Sequence, residues 1–375
     1  MEKNHIVIPQ CLQIVIDDLG WMNGEDDRKA GGPSRTGMPR KHDYRDYLAI
    51  NALGKRLNMK IHGNFILEEW DPDNRLRSIR GLSKYGESWD NAAYLDRAEL
   101  SRMIEAIKQS DYIDIGLHGL GHGYYIPEND NVDTSDYYYT VNKEMFRVDE
   151  GEIRARLDAF FDLLAYYGIE KKITSFVPPT HPYVRDDLAG ILVDYGIRYV
   201  SLPFSVNFSD MGISDILFEC NGRVVTMDRY PDAAPWFAYN VDYDSIPLRC
   251  HSYGAHWPNF LHLDPARNME IVERAAAYFE RCGEQIGCIL SEDMRFCMSQ
   301  TLFFKYARIC ENKKGETVID VLGVPKNENL DFVLYVNSSA PITQCEGARI
   351  CEYARKKDFI TYKLIPENGL IFLRG

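Results

Sequence analysis

Apolar runs of strand length alternate with amphipathic runs of helix length through most of this 375-residue chain. That alternation limits the possible architectures more than any other feature. The strand candidates are LQIVID (12–17), MKIHGNFI (59–66), YIDIGLH (112–118), ITSFVPP (173–179), RYVSLPF (198–204), RVVTMD (223–228), IPLRCHSY (246–253) and GCIL (287–290). Helical periodicity fills 43–57, 96–110, 150–168, 184–196 and 266–283. Gly168 and Gly196 each follow a last apolar helical position, as C-capping glycines do. Strands alternating with helices imply parallel pairing through crossover helices. Seven or eight such units favour an α/β barrel over an open sheet.

From about residue 301 the pattern changes. ETVIDVLGV, DFVLYVNSS, FITYKLIP and GLIFLRG read as strands separated by turns. The expected organisation is a barrel over 1–300 and a small all-β, sandwich-like domain over 301–375. Asn23–Lys41, polar and rich in Gly and Pro, reads as a long loop after the first strand. The net charge of -13 argues against a nucleic-acid surface. No apolar run of about 18 residues is present, so no membrane partner is expected. Nine cysteines without a CxxC pair, and no apolar leader at the start, point to a reducing, cytoplasmic setting. The cysteines are expected to be buried and inert.

In a barrel, the C-terminal strand ends surround the active site. Those ends carry Asp17 and Asp18 after LQIVI, and His118 with His122 in DIGLHGLGHGYY. They also carry Pro178 and Pro179 after ITSFV, and His251 and His256 after IPLRC. Glycines around the first histidine pair make a helix improbable and favour a loop folding back on itself. One carboxylate and two imidazoles suit Zn²⁺ with open positions for water and substrate, and a second aspartate beside them suits a base. Adjacent strand residues point to opposite faces, so both aspartates reach one site only if the chain turns there. Leu19-Gly20 is the expected turn.

IVIDDLG and HGLGH resemble the first two motifs of the polysaccharide deacetylase family, carbohydrate esterase family four. The resemblance implies a distorted (β/α)7 barrel and a metal-dependent hydrolase removing an N- or O-linked acetyl group from a carbohydrate or glycoconjugate. It implies Asp17 as catalytic base and Asp18, His118 and His122 as ligands of a divalent metal, Zn²⁺ first. A late histidine is implied as acid: His256 first, with His251 and His262 as alternatives. Sugar-stacking candidates are Trp21, Tyr124, Tyr125, Trp236 and Trp257, with Pro179 beside the site. Departures are Val15-Ile16 in place of Thr-Phe, Gly119 in place of Ser or Thr, and no arginine ahead of the prolines in SFVPPTHPY.

Plainer readings stand beside these. A DD pair at a strand end often serves as a turn or cap. His5 and His42 read as solvated, His62 as a structural barrel residue, and Tyr137–Thr140 as a packing cluster. The missing arginine fits a carbohydrate-binding barrel without catalysis. A glycosidase or other C–N hydrolase would need a carboxylate opposite Asp17, and Asp228 is the candidate. The oligomeric state is left open.

Overall fold

The computed structural model describes residues 5–24, 36–132, 135–209, 212–229 and 234–375. Residues 25–35 of the expected Asn23–Lys41 loop lie outside them. The central sheet has eight strands: β1 (Ile14–Leu19), β2 (Ile61–Ile66), β3 (Ile113–Gly119), β4 (Ser175–Phe176), β5 (Tyr199–Leu202), β6 (Ile216–Glu219), β7 (Val224–Asp228) and β8 (Tyr253–His256). Their spatial order is β6-β7-β5-β4-β3-β2-β1-β8. All neighbours pair in parallel except the β6–β7 hairpin. Among the described residues, no ladder joins the end strands β6 and β8, so the expected closure into a (β/α)7 barrel is absent as hydrogen bonding.

Helix Met294–Tyr306 and strand Gln10–Leu12 lie along the open side. Cys297 approaches Met227 of β7, with 3.9 Å between sulfurs, and Lys305 donates to the Ile216 carbonyl. Strand Cys288–Leu290, expected in the barrel, pairs instead with Gln10–Leu12 in a separate two-stranded sheet. The tail forms two four-stranded antiparallel sheets. One of them takes Ile6–Val7 as an edge strand against Leu334–Ser338. A single apolar cluster joins Val15 and Val225 of the central sheet to Met298, Leu302, Leu334 and Ile371. Buried Gln300 ties the two together by donating to the Pro9 and Tyr335 carbonyls.

A division at 300/301 therefore falls inside helix Met294–Tyr306 and across a shared core. Ending the chain at residue 300 strips one side of that core, and burial at about 25 cal/mol per Å² is what holds it. The 1–300 fragment is expected to lack a cooperative thermal transition by circular dichroism, whereas the full chain shows one.

A second interaction braces the loops near β1. Asp46, in the first turn of helix Tyr44–Leu57, is fully buried. It accepts two bonds from Arg40 at 2.8 Å, one from Asn268 at 2.7 Å and a contact from His42 Nδ1 at 2.9 Å. His42 was expected to be solvated. It is 1% exposed, because its ring stacks on Trp257 at 3.9 Å and its Nε2 meets Thr36.

Burial raises the Asp46 carboxyl, but bonds from His42 and Arg40 outweigh it and hold it below the usual range. Burial lowers His42, partly offset by Asp46. Both folded pKa values lie below their unfolded ones. Stability from His42 is therefore present above about pH 6.5, and that from Asp46 above about pH 4, and each is lost on acidification. The melting temperature should fall as pH drops from 7 to 4. Asp46→Asn should cost on the order of 3 kcal/mol at pH 7, as read from denaturant melts, and should remove the further loss of stability below about pH 4 while leaving the His42-driven fall between pH 7 and 4 in place.

Candidate active site

The first carboxylate pair forms where β1 breaks its alternation. Val15 and Ile16 pair in register with His62 and Gly63 of β2, and the register then shifts before Leu19 meets Phe65. Asp18 occupies that irregularity with φ of 67°, a left-handed conformation costing roughly 1–2 kcal/mol for a non-glycine residue. The turn thus sits on Asp18 itself, one residue before the expected Leu19-Gly20. Gly20 is also required: at φ of 106°, a Cβ there would stand 1.9 Å from the Ile66 carbonyl oxygen.

Asp17, 2% exposed, accepts from Arg229 Nη1 at 3.1 Å and Nη2 at 2.5 Å, and from Asn64 Nδ2 at 3.0 Å. Burial raises its carboxyl, yet the Arg229 charge prevails and holds it well below the usual carboxylate range. Asp17 is therefore ionised near neutral pH. Burial raises the Asp18 carboxyl too, but the surrounding imidazoles of His118, His122 and His256 prevail and hold it below the usual range.

His118 Nδ1 lies 2.7 Å from the Val177 carbonyl oxygen. A carbonyl only accepts, so Nδ1 carries the proton and Nε2 keeps its lone pair on the side of Asp18. That Nε2 stands 3.4 Å from Asp18 Oδ1, and His122 Nε2 stands 3.6 Å from the same oxygen. Burial pushes His122 down to about 4, partly offset by Asp18, so its imidazole is neutral at pH 7. Ligand atoms of the three residues lie within 4.8 Å of one another. Asp18 Oδ1 is buried and receives no hydrogen bond of ordinary geometry among the described residues. A tetrahedral Zn²⁺ with bonds of about 2.0–2.1 Å spaces its ligands about 3.4 Å apart. The three residues fit such an ion in donor type, spacing and unfilled acceptor. His256, 17% exposed at its side chain, places Nε2 3.7 Å from Asp18 Oδ2.

Several expected positions fall elsewhere. His251 was assigned to a strand end, but β8 starts only at Tyr253, so His251 precedes the strand. It lines a small cavity with Asp228, Asp215, Met227 and Thr301, away from the aspartate pair. His262 forms a local turn with Asp264. Trp257 is fully buried against His42, Trp21 is 1% exposed and Tyr124 is 3% exposed, so none offers an open ring face. Tyr124 instead bonds Glu152. Pro179 is buried two residues after the carbonyl that holds His118. Trp236 is half-buried with its ring centroid 6.3 Å from that of His256, and Phe237 beside it is 51% exposed.

Asp228 does not oppose Asp17. It neighbours Arg229 and bonds the Phe204 amide, so alternation sends it the other way. All nine cysteines are free, but Cys310 and Cys351 are exposed, contrary to the expectation of general burial. No helix among the described residues is long and apolar enough to cross a membrane.

Sequence reasoning missed Arg229 and Asn64. The arginine was sought ahead of the prolines of SFVPPTHPY. It stands instead just past β7 in MDRYPD, where an arginine precedes an aromatic and a proline at the end of a strand-like run. Asn64 had a signal too: in KIHGNFI two polar residues sit two apart within an apolar strand, marking its inward face.

No family profile matches the chain, and no curated protein does. Among solved structures, 4-alpha-glucanotransferase from Thermococcus litoralis is similar over 76% of this chain and 39% of its own, at 11% identity and TM-score 0.41. Puue allantoinase is similar over 79% and 91%, at 12% identity and TM-score 0.41. A protein described as a polysaccharide deacetylase from Mycobacterium smegmatis is similar over 76% and 87%, at 13% identity and TM-score 0.40. This chain thus spans well under half of the glucanotransferase. Likeness this distant assigns neither family nor activity, and the geometry of the site carries the functional argument alone.

Asn tolerates the left-handed region, so Asp18→Asn should preserve the turn while removing the ligand charge. We expect the variant to melt at or above the wild-type temperature without metal. Zn²⁺ should raise the melting temperature of the wild type and leave that of Asp18→Asn unchanged.

Proposed function

We propose that the chain is a metal-dependent hydrolase that removes an N- or O-linked acetyl group from a carbohydrate or glycoconjugate. One observation carries this reading. A carboxylate kept ionised by Arg229 stands beside, and outside, a buried Asp-His-His cluster that offers three ligand atoms and no fourth among its own residues. A structural metal site would have closed its fourth position with a protein ligand.

Asp18, His118 and His122 would hold the cation, which supplies Lewis acidity toward the acyl carbonyl and toward water. Asp17 accepts the proton of the attacking water as its oxygen bonds to the acyl carbon. Arg229 and Asn64 fix the Asp17 carboxylate by bonding to both of its oxygens. His256, with Nε2 3.7 Å from Asp18 Oδ2, donates a proton to the departing amine or alkoxide. Trp236 beside it offers a ring for stacking on the leaving sugar. Pro179 forms part of the wall near His118.

A non-catalytic binding barrel was suggested by the lack of an arginine partner for Asp17; Arg229 supplies that partner and favours the catalytic reading. A glycosidase is disfavoured because Asp228 turns away from Asp17.

The test is acetate release from a panel of N- and O-acetylated mono- and oligosaccharides by the zinc-loaded protein. Asp17→Asn should lose at least about 10³-fold in kcat while keeping bound zinc, and His256→Ala about 10²-fold. Turnover by Asp17→Asn at the wild-type rate would refute the assignment of the base. Zinc binding without acetate release across the panel would favour a binding role.

A further inference from the structure

The proposed metal site leaves one question open: what holds the second histidine. His118 is fixed by its Nδ1 bond to Val177. His122 has no equivalent, since its Nδ1 meets no hydrogen-bond partner among the described residues. Its ring is therefore placed by the backbone that carries it.

That backbone is gripped from two sides. The Leu120 carbonyl accepts from the Leu67 and Glu68 amides at 3.0 and 2.7 Å. On the other side, Asp136 Oδ2 accepts from the Gly121 amide at 3.0 Å, one residue before His122. The fit is tight enough to exclude side chains. A Cβ on Gly119 would stand 2.4 Å from Asp136 Oδ2, and one on Gly121 would stand 2.6 Å from Glu68 Oε2. The glycines of HGLGH are thus the surface on which buried carboxylates rest. Asp136 is fully buried, and its compensating charge is equally buried Arg156, with Nε 3.8 Å from Asp136 Oδ1. Arg156 is itself held by donating Nη2–H to the Arg80 carbonyl at 2.9 Å.

We propose that Asp136, backed by Arg156, is a positioning residue that holds the His118–His122 loop in metal-binding geometry. It touches neither substrate nor cation. A charged acceptor in a dry interior binds a backbone N–H more strongly than a neutral amide would, so the Gly121 position depends on this carboxylate. The inference rests on the proposed metal site and concerns what sets its geometry.

The experiment is Co²⁺ titration of the full chain, followed by the visible absorption band of the bound ion, with thermal melts recorded in parallel. Asp136→Asn strands a buried arginine, so the double variant Asp136→Asn with Arg156→Met removes both charges and keeps the core neutral. Gly119→Ala attacks the same contact from the loop side by pressing on Asp136 while leaving both charges in place. Each variant that melts cooperatively should bind Co²⁺ about 10- to 100-fold more weakly than wild type, with an altered band shape that mere loss of stability would not produce. Wild-type affinity and band shape in any one of these folded variants would overturn the positioning role while leaving the metal site standing. A wild-type chain that binds no Co²⁺ would overturn the metal site, and this inference with it.

Discussion

The site depends on one backbone conformation. Two consecutive residues of an extended strand face opposite ways, so Asp17 and Asp18 would ordinarily lie on either side of the sheet. The left-handed turn at Asp18, set in a shift of register between β1 and β2, brings the second carboxylate back toward the first. From there the two diverge in role through their partners. Arg229 and Asn64 take both oxygens of Asp17, and three imidazoles gather around Asp18. Strain stored at one residue thereby sets two carboxylates of distinct surroundings side by side.

The electrostatics are balanced locally, with little help from the strongly acidic chain as a whole. The guanidinium of Arg229 keeps Asp17 ionised despite burial, and burial keeps His122 neutral despite the neighbouring carboxylate. Both protonation states are those that the proposed ligand and the proposed base require near neutral pH. The open side of the curled sheet is covered by helix Met294–Tyr306 and strand Gln10–Leu12, so the β-rich tail is bound to the site's support through a common core.

Much of this was legible in the sequence, for reasons that also explain what was not. Asp18, His118 and His122 could be found because strand ends are marked by the close of an apolar run, and a parallel sheet puts those ends on one face. Asp17 and His256 followed from the same rule. His251 misled because IPLRCHSY has strand-like composition, while the strand lies later, over Tyr253–His256, where small Gly254 and Ala255 pack against β1. Trp21, Tyr124 and Trp257 misled because sequence proximity to a site says nothing of which way a ring points, and all three turn into the core. Arg229 was missed because its pairing with Asp17, 212 residues away, is invisible to local reading, and the pattern in MDRYPD gains meaning only once β7 is seen to end beside β1's carboxylates. The division at 300/301 rested on a change of pattern that cannot reveal a shared core.

The account stands on three donor atoms meeting around one cation. The most direct measurement is an anomalous difference map at the zinc absorption edge from crystals of the zinc-loaded protein. The account predicts one strong peak about 2.0–2.2 Å from Asp18 Oδ1, His118 Nε2 and His122 Nε2, with the Asp17 carboxylate outside bonding distance. A peak located elsewhere, on the exposed cysteines for instance, with none between these side chains, would contradict it.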